Sequence, residues 1–475
     1  MGDPVFYGEF RKQLKAAQIS VMFGSMLTFP NNRNLKEDGG SPGNPLTRPA
    51  PLHKHSSAAP PHEASGEPHD APRERDSEKL DGKCGIEINP HSIRLFLGGL
   101  STAWTYILPA GIRALPGTCS GLEMIQGDGI QMRIQLEMPE ECEAAESRER
   151  MESTGNETGD QILRALTHPD CEVMCARCDA VLISPSGGFQ KVLPLPEGDW
   201  TDLAGDMWCC KSKVIAEKRG KMASLHLSPD QGSVLVDDLH FIVHSASLRK
   251  GSVAMEKKKP GRHRQTSQLP APKSFCVICQ RCKCIVGSID NQDGSSQLET
   301  TKLYRYAARI SCYSRSNPLE QTFSSLLVTQ FKHQMTFKYI VEDDEEHRPR
   351  LLVWLLGIDT QLLHSGAPSF NRTLPGSYCS ASHSVCRDAA QRDAEREVKM
   401  ESQRVIKVLY QTCNCEAGQR LAEEWNRDLM VHGVTLTTDA CLELGLILAR
   451  STLNAPPTMR HRNGFKVGSL KFEDR

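Results

Sequence analysis

No stretch of the chain approaches the roughly 18 consecutive apolar residues that a membrane-spanning helix needs, and the opening MGDPVFYGEF has neither the basic nor the apolar run that directs secretion. Charge of one sign is lacking as well. Fifty-seven Lys and Arg against 58 Asp and Glu leave a net charge of −1, so no global field favours nucleic acid or an anionic membrane. Apolar residues make up only 39% of 475, so part of the length lies outside any core. These absences lead to the expectation of a soluble, non-secreted, cytoplasmic protein with no membrane partner and no direct nucleic-acid partner. The triplets Asn156-Glu-Thr and Asn371-Arg-Thr are accordingly read as unglycosylated. The one excess is cysteine, 18 residues in all. In a reducing compartment, cysteines at short spacings bind metal or react more often than they form disulfides.

The length allows roughly three domains of about 150 residues, and composition divides it. Residues 1–30 hold a short apolar stretch, Val5 to Leu27, expected to dock on the first domain. Residues 31–82 are rich in Pro, Gly, Ser and His (His53, His55, His62, His69) and poor in large apolar side chains, which predicts a disordered insertion. Between 84 and 138 the runs are short and strand-like. Gly127-Asp-Gly129 separates Leu122–Ile125 from the alternating Ile130, Met132, Ile134 and Leu136, a β-hairpin pattern. Residues 139–170 read as an acidic linker. Strand-like runs at Phe189–Leu195 and Val234–Val243 belong to a cysteine-bearing β region, 171–290. Its basic cluster, Lys257-Lys258-Lys259 and Arg262-His263-Arg264, reads as a solvated linker or as a nuclear address.

Residues 302–475 pattern as an α/β unit with a polar insertion at 366–402. Asn317-Pro318 starts a helix carrying Leu319, Phe323, Leu326 and Leu327. Met335 to Val341 and Leu351 to Leu356 predict a hairpin whose second strand is buried on both faces. A strand at Val405–Tyr410 follows, then a helix striped by Leu421, Trp425 and Leu429 and ended by Gly433. A last helix from Thr438 and a strand from Phe465 to Phe472 complete the unit.

Cys175-Ala-Arg-Cys178 and Cys279-Gln-Arg-Cys282 are the sharpest constellation. A C-x-x-C turn presents two thiolates to one ion, and a tetrahedral structural zinc needs two such halves. One zinc shared by Cys175, Cys178, Cys279 and Cys282 is the leading reading. Two separate sites completed by Cys171, Cys276 or Cys284, and no metal at all, are the alternatives. Neither pair stands in the βαβ context of a redox motif. Trp208-Cys209-Cys210 reads as a buried Trp beside inert thiols, as further zinc ligands, or as a cysteine offered to a partner's metal. Cys441 falls in the first turn of a helix capped by Thr437 or Thr438, where the dipole favours a reactive thiolate. Cys441, Leu444 and Leu448 also have the spacing of a buried core stripe, and both readings stand.

The second pair, followed by Ile285-Val286-Gly287, resembles the β-tent zinc folds of the Yippee and cereblon-type domains. Over a longer reach, VLPLPEGDW (192–200), WCC (208–210), VICQRCK (277–283), LLVWLLGID (351–359), VIKVLYQTC (405–413) and CLELGLILARS (441–451) resemble, in this order, the HECT-like, ubiquitin-conjugating-enzyme-binding family of ubiquitin-protein ligases. The expected fold class is therefore a β-rich N-terminal and zinc-knuckle (β-tent-like) region plus a C-terminal α/β unit, with long disordered insertions.

That resemblance implies a ligase that receives ubiquitin from a conjugating enzyme and passes it to lysines of protein substrates, promoting their proteasomal degradation. It implies Cys441 as the thioester cysteine. Leu436 and Cys441 match a Leu-Pro-x-x-x-Thr-Cys pattern in which Thr437 stands for the proline and Ala440 precedes the cysteine. It places conjugating-enzyme binding near Cys312–Phe331, where a helix would offer Leu319, Phe323 and Leu327 to a groove or turn them to its own core. A second, non-catalytic role is also implied: Cys210 inserted as a ligand into the zinc-containing active site of the endonuclease that cleaves pre-mRNA 3′ ends, with Lys211 where relatives carry histidine.

Overall fold

Apolar alternation with period two recurs in segments such as Ile130, Met132, Ile134 and Leu136, and a chain so patterned buries one face of each strand. The computed structural model describes residues 5–22, 77–80, 84–97, 103–125, 129–138, 157–185, 187–195, 229–258, 273–291, 300–313, 317–365 and 395–472. It is β-rich, with four α-helices among the described residues: α1 (Glu157–Thr167), α2 (Pro318–Gln334), α3 (Glu416–Trp425) and α4 (Thr438–Asn454).

The spine is a two-stranded antiparallel ribbon, Pro349–Ser365 against Glu395–Thr412, with Leu351 opposite Thr412 and Ser365 opposite Met400. At one end Val5–Arg11 pairs with Thr360–His364 and with Ala16–Met22, while Glu395–Lys399 runs parallel to Ala103–Ile107. Phe6, Phe10, Ile19, Trp104, Tyr106, Ile130, Met132, Leu363 and Met400 form the core there. The expected hairpin is present, Ser120–Ile125 pairing with Gly129–Glu137.

At the other end the ribbon joins Lys338–Asp343, Val431–Leu436 and Phe465–Lys471. Here helices cover both faces. Tyr339, Val341, Leu351 and Val353 turn toward α2 and α4, and Ile340 and Leu352 turn toward α3. Alternate residues of one strand therefore serve two cores, which is why Leu351 to Leu355 reads as a continuous apolar run.

The stripe Leu421, Trp425, Leu429 is not one helix. An exposed Leu429 lies past α3, because Asp428 accepts from Met430 N at 3.0 Å and bonds Lys338 Nζ at 3.0 Å, turning the chain into strand Val431–Leu436. Gly433, expected as the helix stop, pairs with Ile340 inside that strand. Helix α1 lies within the span read as acidic linker, and it holds because Ile162 and Leu166 are buried against Val173, Leu182 and Phe241. Strand Ser77–Leu80 pairs with Cys84–Asn89 inside the span read as insertion.

The cysteine-bearing region packs against the second of these ends through Leu239, Ile285 and Ala307. A three-stranded sheet (Val181–Ile183, Val173–Cys175, Ala308–Ile310) packs with a seven-stranded one that contains Lys273–Cys279, Ile285–Asn291 and Thr300–Tyr304. Gly287 faces Leu303 in this sheet, and a Cβ there would lie 2.3 Å from the Lys302 carbonyl oxygen. Gly287→Ala is expected to force the two strands apart, at a cost of about 1–3 kcal/mol. An unchanged urea midpoint for that variant would show that the backbone yields there freely.

Candidate functional site

Both C-x-x-C pairs close a strand with the same turn. Cys175 ends strand Val173–Cys175; its N–H donates to Ala180 O at 2.8 Å, and Asp179 N donates to Cys175 O at 2.9 Å. Cys279 ends strand Lys273–Cys279; its N–H donates to Cys284 O at 2.9 Å, and Lys283 N donates to Cys279 O at 2.9 Å. Each turn needs one residue in the left-handed region, Asp179 (φ 56°) and Lys283 (φ 62°). Backbone N–H groups face the sulfurs in the same way. Arg177 and Cys178 serve Cys175, Arg281 and Cys282 serve Cys279, Ala180 serves Cys178, and Cys284 serves Cys282. Such donors favour the thiolate form.

The fold brings the two turns together although 107 residues separate Cys175 from Cys282. Cys175 and Cys282 are 3.6 Å apart between sulfurs, Cys178 and Cys279 also 3.6 Å, and all four sulfurs lie within 4.8 Å of one another. Four sulfurs bound ~2.3 Å from one ion stand ~3.8 Å from each other. The four cysteines thus form a cluster that can hold a metal ion. Arg281 Nη1 donates to Cys178 O at 3.0 Å and ties one turn to the other. Its sequence signal was weak, because an Arg precedes the second cysteine in both pairs. Burial pushes the Cys282 thiol up to about 11, so an ion entering the cluster displaces protons.

The other anticipated residues lie apart from this cluster. Cys441 sits in the first turn of α4, whose cap is Thr437, the Thr437 hydroxyl accepting from Ala440 N at 3.3 Å. Its side chain is turned inward with only 3% exposure, its thiol directed at Glu342 O at 3.6 Å and Leu436 O at 3.9 Å. Burial, reinforced by the nearby Asp343 carboxylate, pushes the thiol up to about 12. The helix dipole alone would lower it; the surrounding core outweighs that effect. Leu319, Phe323 and Leu327 of α2 are buried among Tyr339, Leu351 and Leu444, so the stripe faces the protein's own sheet. Cys210, with Trp208 and Cys209, lies outside the described residues, as do the histidine-rich segment, Arg262-His263-Arg264, Asn156 and the triplet Asn371-Arg-Thr.

A β-rich protein with a four-cysteine cluster built from paired turns is the class this architecture defines. Over residues 75–467 the chain matches the family described as HECT-like ubiquitin-conjugating enzyme (E2)-binding, and it belongs to that family. It is similar to the E3 ubiquitin-protein ligase E3D of Pongo abelii, 29% identical over 378 residues, covering 77% of this chain and 86% of that one. The E3 ubiquitin-protein ligase E3D of Bos taurus is 28% identical over 409 residues (84% and 93%), and that of Homo sapiens 28% identical over 378 residues (77% and 86%). No solved structure matches the chain.

Proposed function

We propose that this chain is an E3 ubiquitin-protein ligase that binds a ubiquitin-charged conjugating enzyme and promotes transfer of the ubiquitin to lysines of protein substrates, marking them for the proteasome. The observation that carries this reading is the family match over residues 75–467, supported by relatives that bear the ligase name over most of their length. Zinc is the ion we assign to the four-cysteine cluster, because an all-thiolate, near-tetrahedral donor set suits it and leaves no open position for catalysis. Its part is structural: it joins the strand ends at Cys175 and Cys279.

Two routes of transfer follow from the chemistry. In transthiolation, the Cys441 thiolate attacks the thioester carbonyl and releases the conjugating enzyme's thiolate; a substrate amine then attacks the new thioester. In the adaptor route the amine attacks the conjugating enzyme's thioester directly. The 3% exposure of Cys441 and its raised pKa favour the adaptor route. A charging assay with ubiquitin, activating enzyme and a panel of conjugating enzymes separates them. We expect substrate or self-ubiquitination with at least one conjugating enzyme, no reductant-sensitive ubiquitin adduct on this chain, and activity retained in Cys441→Ala. An adduct lost in that variant would establish transthiolation, and silence with every conjugating enzyme would refute the ligase reading.

A further inference from the structure

We propose that Cys284 is a fifth, reserve ligand of the metal centre, able to replace Cys282 on the ion; the inference rests on the zinc assignment above. Cys284 Sγ lies 3.1 Å from Cys282 Sγ and 3.5 Å from Cys175 Sγ. Both separations are within the ~3.8 Å at which neighbouring sulfurs of a tetrahedral centre stand. The duplicated turn makes this placement informative. Cys284 occupies the backbone position that Ala180 occupies in the first turn, since each accepts the N–H of the leading cysteine and each gives its own N–H to the second. Alanine supplies no donor atom there, so the turn does not require a thiol at that place. The second turn nevertheless carries one, aimed at two ligands.

The exchange is confined to one side of the centre. Cys175 and Cys279 are buried at strand ends, whereas Cys282 and Cys284 are partly exposed and belong to the same turn. That turn is closed by Cys279 N to Cys284 O and Lys283 N to Cys279 O, so side-chain rotation suffices and the backbone need not move. Chemically, the bond from the ion to Cys282 sulfur breaks, the bond to Cys284 sulfur forms, and the proton of the Cys284 thiol passes to Cys282. Nothing is oxidised or reduced, and the ion keeps four thiolates throughout. A centre of this kind retains its metal when Cys282 is alkylated or otherwise blocked.

The test uses the full-length chain loaded with cobalt(II) under reductant and read by its thiolate-to-metal and ligand-field absorption, with zinc release to a chelator measured in parallel. Cys282→Ser is expected to keep the four-thiolate spectrum and about one metal per chain. Cys178→Ser and the double variant Cys282→Ser/Cys284→Ser are expected to show three-thiolate spectra and to bind zinc more weakly by at least the ~10- to 100-fold that loss of an outer-shell partner alone costs; either provides the reference should the other not fold. A Cys282→Ser chain that matches these references overturns the exchange alone, while a wild-type chain that takes up no metal overturns the centre and the exchange with it. Alkylation of the zinc-loaded wild type gives an independent reading that needs no variant. Because Cys312 and Cys415 are exposed as well, the label is mapped on the peptide that carries this turn: one alkyl group there, divided between Cys282 and Cys284, supports the exchange, and modification of the turn confined to Cys284 overturns it.

Discussion

Replacing Cys175 and Cys178 together by serine is expected to cost the chain its metal and to unfold the cysteine-bearing region. The binding free energy of a structural zinc site is on the order of 10 kcal/mol, comparable with the entire stability of a domain. The loss is large here for a geometric reason. The two turns end strands of different sheets, and Arg281 donates from one to the other. With the ion gone, the buried Cys279 is left as an uncompensated thiolate or a poorly hydrogen-bonded thiol, and a serine hydroxyl stands at the buried position of Cys175, in a core that includes Val173, Leu182, Val277 and Val286. Hydrogen exchange should show amide protection lost over Val173–Ile183 and Lys273–Asn291. Protection should persist over Val5–Met22 and Ile130–Leu136, which belong to a separate core. A double variant that folds normally and binds no metal would remove the ion from any structural account.

Phe323→Ala should be nearly as damaging, through packing alone. The ring is fully buried between α2 and the sheet, among Leu327, Tyr339, Leu351 and Leu444. A truncation of this kind costs about 3–5 kcal/mol, part of it lost transfer energy and part the cavity left behind. The measured quantity is the urea midpoint, with the slope checked for constancy. Affinity for a conjugating enzyme, expressed per folded molecule, is expected to stay the same. Loss of that affinity at an unchanged midpoint would instead make the stripe a docking surface, and α2 would then have to leave its sheet to bind.

These two sites differ in how far the sequence disclosed them. The cysteine pairs were legible because the C-x-x-C turn is local: six residues fix the hydrogen bonds, the left-handed residue and the direction of the sulfurs. Their partnership across 107 residues follows from the four-coordinate geometry of the ion rather than from any pattern in the chain. With α2, Asn317-Pro318 and the spacing of the leucines disclosed the helix and its apolar face. Neither indicates whether that face meets a partner or its own sheet, since the same side chains serve both. Cys441 shows a related ambiguity. Its place in the first turn of α4 signals reactivity, but the burial that opposes it comes from Glu342 and Leu436 on neighbouring strands.

Strand pairings were the least legible feature. The hairpin at Gly129 was visible because its strands are adjacent in sequence. Nothing local indicates that Val5–Arg11 lies beside Thr360–His364, or that Glu395–Lys399 lies parallel to Ala103–Ile107. Segments that read as a separate N-terminal docking piece, a β-rich domain and a C-terminal unit share one continuous sheet in the folded chain.

That shared sheet sets a schedule for synthesis. Tyr7 finds its partner only when His364 has left the ribosome, and Phe6 N waits equally for the Ser365 hydroxyl, 359 residues later. At translation rates of about 5–20 residues per second the delay is roughly 20–70 s. Throughout that interval the first strand carries Phe6 and Phe10 with one of its edges unpaired, exposed to any other nascent chain able to add a strand.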